Sequence, residues 1–195
     1  MRFSWYNSSM QNEELASKKR AIELYDTGKI DEFEVGTTEG LKQIHRYLFQ
    51  DVFDFAGKIR DVDLSKGNFR FAPAIYLEDT LKTIDNLPEN TFDEIVKKYV
   101  EMNVAHPFRE GNGRATRIWL DQILKKRLGK CVDWSKIGKE EYLSAMERSP
   151  INDLEIKTLL ESALTSDIND REVYMKGIQS SYEYEEQSEY DVHNL

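Results

Sequence analysis

The stretch Thr91-FDEIVKKYVEMNVAHPFREGNGRATRIWLDQILKKRL-Gly129 decides the fold class. Thr91 and Glu94 have the spacing of a capping box, and Ile95, Val96, Tyr99 and Val100 form one apolar stripe at helical period, so a helix is expected to run into His106. A second helix is expected from about Asn112 to near Gly129, with Leu120, Ile123, Leu124 and Leu128 as its apolar face and Gly129 as its left-handed stop. The residues between lie in a turn joining two helices. Outward from this pair, Glu13 to Tyr25 reads as a helix ending at Gly28, and Leu41 to Phe53 as one following Thr37 and Thr38 as N-cap candidates. Further helices are expected at Lys139 to Arg148, Asp153 to Leu164 and Arg171 to Ile178. Lys58 to Tyr76 breaks the pattern: Arg60, Val62 and Leu64 alternate up to Gly67-Asn68, and Phe69 and Phe71 alternate after it, which predicts a short hairpin or extended flap. The expected class is all-α with a short β-hairpin flap.

The 195 residues suffice for one core, and 27 Lys and Arg against 36 Asp and Glu leave a net charge of −9. That balance argues against direct nucleic-acid binding and against attraction to an anionic membrane. No stretch reaches the apolar length of a membrane span, and Met1 to Tyr6 lack the apolar run of a signal peptide, so a cytoplasmic protein is expected. Cys131 has no second cysteine to pair with and reads as a small apolar side chain. Gln179 to Leu195 is rich in Tyr, Glu and Ser. By composition alone, that is a solvated terminus.

The turn itself carries chemistry. Gly111 and Gly113 flank Asn112 and allow consecutive N–H groups to point into one concavity at a helix start, which makes an anion site. Arg114 and Arg117 lie three apart on that helix and can both reach phosphate oxygens, an arrangement that suits a triphosphate. Glu110 adds a carboxylate that phosphate would repel unless a divalent cation bridged them, and magnesium is the natural choice. His106 is a residue type that ordinarily titrates near neutrality, which suits a general base for a hydroxyl nucleophile.

His106 through Arg117 resembles the Fic-family signature, which runs His, any residue, Phe, any residue, Asp or Glu, Gly, Asn, Gly, Arg, two of any kind, Arg; every fixed position agrees. Gly57-Lys58-Ile59-Arg60 and Ser65-Lys66-Gly67, followed by Phe71-Ala72, are similar to the family's target-docking flap. The resemblance covers about residues 12 to 165. It implies a helical domain that uses ATP with magnesium to modify Ser, Thr or Tyr hydroxyls of a target protein, most often by AMP transfer. His106 would be the base and Glu110 the magnesium ligand. Backbone amides of Gly111, Asn112 and Gly113, with the Asn112 side chain, would stabilise phosphate charge, while Arg114 and Arg117 grip the β- and γ-phosphates. Phe108 would anchor the loop, and Gly67, Asn68, Phe69, Arg70 and Phe71 would align an extended target segment by strand addition. Transfer of another phosphate-containing group is the alternative on the same fold, and a non-catalytic partner-binding module is the alternative of a different class.

Many members of that family carry an inhibitory helix marked by Ser or Thr, three residues, Glu, then Gly or Asn, whose glutamate pairs with the second motif arginine. Ser181 and Glu185 fit, with Glu186 in the last position; Ser9 and Glu13 compete, with Glu14 in that position. The C-terminal match is preferred because Tyr174, Ile178 and Tyr182 offer the apolar spacing to dock a helix. This sets an inhibitory segment at residues 170 to 190 and a tail at 191 to 195, with Glu185 reaching Arg117. Loosening of that segment would free Tyr182 and Tyr184 for self-modification, and self-association of the chain could hold it shut.

Overall fold

A computed structural model describes the backbone of residues 2–195 and the side chains of residues 9–195; the side chains of the N-terminal stretch read for a leader, Met1 to Tyr6, lie outside the described residues. The helices are α1 Arg2–Asp26, α2 Thr38–Phe49, α3 Leu77–Asp85, α4 Phe92–Ala105, α5 Asn112–Leu128, α6 Lys139–Arg148, α7 Leu154–Ser162 and α8 Arg171–Glu183. Two antiparallel ribbons of two residues per strand complete the fold: β1 Ser65–Lys66 with β2 Phe69–Arg70, and β3 Cys131–Val132 with β4 Leu164–Thr165. The all-α class with its hairpin holds. No described helix is long and apolar enough to cross a membrane.

The core is built around α5. Ala115, Trp119, Leu120 and Ile123 are fully buried, and so nearly are Arg114, Thr116 and Arg117, so this helix is enclosed on most sides by α2, α4 and α8. Leu128, expected on the apolar face, is only half-buried, because the helix end emerges toward Gly129. The capping box at Thr91 and Glu94 is present with both bonds made, and Thr37 caps α2 by accepting from the Gly40 N–H at 3.0 Å.

Several elements differ from expectation, and α1 begins at Arg2 and not at Glu13. α2 stops at Phe49 and not at Phe53, because the Val52 and Phe53 N–H groups both turn back to the Phe49 carbonyl. The Phe49–Phe53 spacing that read as a helix is instead a turn with the two rings 5.1 Å apart. α3 was not expected, although Leu77, Leu81 and Ile84 form its buried stripe. α8 continues five residues past Ile178, since its inward face is polar there: Ser181 faces a buried guanidinium and gives no hydrophobic signal. Tyr182 on α8 and, beyond the helix where the chain turns back, Tyr184 and Val192 join the same buried cluster as Ile95 and Trp119. The acidic terminus is therefore packed where composition suggested solvation.

Candidate active site

Three clamps shape the loop between α4 and α5. His106 terminates α4 in the left-handed region at φ 49° and ψ 63°, a conformation a β-carbon resists. Arg60 holds it there: the buried guanidinium donates to the carbonyls of His106 (2.7 Å), Ala105 (2.9 Å), Val62 (2.7 Å) and Ala72 (2.6 Å). Asn112 forms the second clamp. Its Oδ1 accepts from the Phe108 N–H at 2.8 Å and its Nδ2 donates to the Phe108 carbonyl at 2.7 Å. In this structure both ends of the Asn112 amide bond to one buried residue, so the side chain braces the loop. The third clamp is His45, whose Nδ1 accepts from the Gly57 N–H at 2.9 Å; Nε2 therefore carries the ring hydrogen and donates to the Glu110 carbonyl at 2.8 Å. Phe108 is fully buried, stacked on the His45 ring at 3.8 Å.

The His106 ring stacks on Phe71 of the flap, centroids 3.7 Å apart and planes 13° apart. Burial, reinforced by the Arg60 charge, pushes its pKa down to about 4, so the ring is neutral at pH 7. Its buried Nδ1 has no hydrogen-bond partner. The flap reaches the ring because Ser65 pairs with Arg70 and Lys66 with Phe69 around Gly67, and the Ala72 N–H donates to the Val104 carbonyl at 3.1 Å.

At the start of α5 the backbone is laid bare. Gly111 is left-handed at φ 82°, and a β-carbon there would also strike the Phe49 ring at 2.5 Å. Gly113 has ordinary helical φ, but a β-carbon on it would lie 2.3 Å from Glu185 Oε1. The tail carboxylate therefore rests directly against the first turn of α5, where unpaired N–H groups and the helix dipole favour an anion. Arg117 completes its setting: Nη2 donates to Glu185 Oε1 at 2.8 Å and to the Ser181 carbonyl at 2.8 Å, and Nε donates to Ser181 Oγ at 2.7 Å. The Tyr142 and Tyr184 rings flank the guanidinium at 5.3 and 5.2 Å. Burial raises the Glu185 pKa, but the Arg117 charge and bond outweigh it and hold the carboxyl below its ordinary value.

Arg114 is occupied as well, by Glu13 Oε1 at 2.6 Å, Gln187 Oε1 at 2.8 Å and, more weakly, Glu110 at 3.4 Å. The two sequence matches thus meet different arginines: Glu185 lies on Arg117 and Glu13 on Arg114. Glu110 remains largely exposed at the rim, its carboxylate accepting from the Gly111 N–H at 3.0 Å. No group of three metal-ligating side chains occurs among the described residues. One rim carboxylate beside an anion cradle suits magnesium, which keeps several waters and takes its other ligands from phosphates.

The Fic/DOC family model matches residues 36–124, which run from before α2 through the loop into α5. The probable protein adenylyltransferase Fic of Escherichia coli K12 is 32% identical over 143 residues, covering 68% of this chain and 71% of that protein. The chain belongs to the Fic/DOC family. The probable protein adenylyltransferase y4lH of Sinorhizobium fredii is 32% identical over 154 residues, covering 73% of this chain and 77% of its own length. Among solved structures, the BepC protein of Bartonella tribocorum, a VirB-translocated effector with bound AMPPNP, superposes at a TM-score of 0.68 with 21% identity, covering 82% of this chain and 87% of that one.

Within this Fic domain, the sequence reading missed two supports of the loop. His45 lies on α2 outside the signature, and Arg60 belongs to the flap segment. Nothing local marks His45, since its partners lie 12 and 65 residues away. Tyr182 and Tyr184 are buried in this arrangement, the Tyr184 hydroxyl donating to the carbonyls of Trp134 (3.0 Å) and Ile137 (2.7 Å).

Proposed function

We propose that this Fic domain is a protein adenylyltransferase whose resting state is held off by its own C-terminal segment. The observation that carries this reading is Glu185, a carboxylate resting in the α5 anion cradle and bound to the arginine that a triphosphate tail would need. In the reaction, a target Ser, Thr or Tyr hydroxyl gives its proton to the neutral His106 ring as its oxygen attacks the α-phosphorus of ATP. An oxygen–phosphorus bond forms to AMP, the bond to the β-phosphate oxygen breaks, and pyrophosphate leaves. The bared amides of α5 stabilise charge on the phosphates, and Arg117 and Arg114 hold the β- and γ-phosphates once their tail partners leave. Glu110 would hold magnesium, which when bound neutralises phosphate charge and polarises the phosphoryl oxygens. The flap, fixed above His106 by Phe71, would pair main chain to main chain with an extended target segment through Gly67 to Phe71.

Inhibition is competition for two guanidiniums. Ser181 and Glu185 take Arg117, Gln187 and Glu13 take Arg114, and α1 holds the turn beyond α8 through buried Lys18, whose Nζ donates to Glu14 (2.7 Å) and to the carbonyls of Gln187 (3.3 Å) and Tyr190 (2.5 Å). Release of the segment would expose Tyr182 and Tyr184, and their self-modification would prevent redocking. We place the enzyme in the cytoplasm, where ATP is abundant and buried Cys131 stays reduced. The test compares the intact chain with Glu185→Gly on a bacterial lysate, using ATP labelled on the α- or the γ-phosphate. The reading expects α-label on protein, raised at least about tenfold by the substitution, the order of a lost charge-assisted hydrogen bond. Label transferred from the γ-position, or none from either, would discard it.

A further inference from the structure

His45 is fully buried on α2, yet both its ring nitrogens are spent on backbone groups that belong to other parts of the chain. The Gly57 N–H donates to Nδ1 and leaves Nε2–H to donate to the Glu110 carbonyl. The ring face lies on Phe108, planes 15° apart, and its other neighbour Phe49 is the side chain that leaves no room for a β-carbon at Gly111. The three loop clamps divide the labour: Arg60 fixes the His106 carbonyl, Asn112 fixes Phe108, and His45 fixes Glu110 at the peptide that leads into the α5 cradle. Without the His45 bond, the Glu110–Gly111 peptide could rotate, carrying the Glu110 carboxylate and the first α5 amides away from their common centre.

We propose that His45 is a positioning residue for AMP transfer: its Nε2–H, donated to the Glu110 carbonyl, sets the direction of the Glu110 carboxylate and of the adjoining anion cradle. The proposal rests on the assignment of Glu110 to magnesium. It separates the ring's hydrogen bond from its bulk, because a glutamine at this position can still donate to the Glu110 carbonyl whereas a phenylalanine fills the space and donates nothing.

The test uses the full chain carrying Glu185→Gly, alone and combined with His45→Phe, His45→Gln or Glu110→Gln, each checked for folding by circular dichroism. His45→Phe should lower kcat by about 10²-fold, the typical effect of misplacing a reacting group by an ångström, while the KM for ATP stays within about threefold of the parent. His45→Gln should recover about tenfold or more of that loss. A second readout needs no turnover: Mn2+ binding in the presence of a non-hydrolysable ATP analogue, followed by electron paramagnetic resonance, should weaken in His45→Phe and be restored in His45→Gln. The inference is overturned if folded His45→Phe keeps the parent's kcat and Mn2+ affinity, or if His45→Gln falls as far as His45→Phe, since the ring would then act by packing. Should His45→Phe not fold, His45→Gln decides: kcat within about tenfold of the parent supports the inference and a deeper loss removes it. Unaltered Mn2+ binding in Glu110→Gln would sink the magnesium assignment, leaving the kcat comparison to decide His45. A parent that transfers no AMP would sink the proposed activity, leaving the Mn2+ comparison.

Discussion

His106 and Asn112 show how residue chemistry and loop geometry divide in this site. In the proposed mechanism His106 acts on the target hydroxyl and not on the phosphates, so His106→Ala should reduce AMP transfer by about 10²- to 10⁴-fold while the Kd for ATP, measured by calorimetry on the Glu185→Gly chain, changes little. Transfer at the parent rate would exclude it as base. Asn112 is a structural part of the same loop. Asn112→Ala leaves the buried N–H and carbonyl of Phe108 unpaired, which should lower unfolding free energy by about 1–3 kcal/mol, read from urea denaturation. Asn112→Asp keeps the acceptor for the Phe108 N–H but replaces the donor with a second oxygen facing the Phe108 carbonyl. It should be no more stable than Asn112→Ala, in contrast to an ordinary isosteric change.

At the scale of elements, the segment from α8 to the C-terminus is bound to Arg117 through Ser181 and Glu185, in the proposed reading as an internal ligand, and its termination bears on a departure from the inhibitory pattern. Glu186 occupies the place where the family uses Gly or Asn, and it sits at φ 61°. The pattern reflects a left-handed position just past the helix, which Gly and Asn adopt readily and other residues adopt at a cost of roughly 1–2 kcal/mol. Glu186→Gly should therefore tighten docking, lowering basal AMP transfer by about two- to fivefold, the equivalent of about 1 kcal/mol. Its weak exposed contact with Lys139 at 3.4 Å contributes little. Glu183→Gly removes the same charge from the last residue of α8 but loosens the helix, and should activate slightly. Transfer assays on Glu183→Gly, Glu185→Gly and Glu186→Gly should thus rank Glu185→Gly far above Glu183→Gly, with Glu186→Gly below the intact chain; equal activation by all three would make bulk charge the inhibitor.

For the whole molecule, two buried neutral histidines and the buried Asp121 carboxyl set the response to acid. Burial pushes His45 to about 4, and burial with the Arg60 charge pushes His106 to about 4. A folded-state pKa below the unfolded value means that the unfolded chain binds more protons as pH falls through 6.5, so stability is lost between about pH 6.5 and 4. Two such groups should remove about 2 kcal/mol between pH 7 and 5.5, at 1.4 kcal/mol per fully developed pKa unit. Two groups act in the opposite sense: burial holds the Asp121 carboxyl up at about 6, so the folded chain takes up a proton there and offsets about 1 kcal/mol of that loss, while His193 is raised by its bonds with Glu172 and Asp191 but is exposed and screened. The Glu185–Arg117 pair resists acid longer, its carboxyl being held below the ordinary range. Urea midpoints should therefore drop from pH 7 to 5.5 before the tail contact titrates; a midpoint unchanged over that interval would contradict the burial of both rings.

The sequence by itself determined the helical class, the helix–loop–helix from Thr91 to Gly129 and the family signature. Apolar spacing, caps and glycine positions are local properties that act within a few residues. It also marked two glutamates as candidate inhibitors. Only the tertiary structure decided that Glu185 meets Arg117 and Glu13 meets Arg114, that His45 and Arg60 brace the loop, and that the acidic tail is packed. Those contacts join groups tens to more than a hundred residues apart, and most are polar. A buried polar face pairs with particular partners and leaves no hydrophobic period in the chain, so its place becomes visible only when the fold brings the partners together.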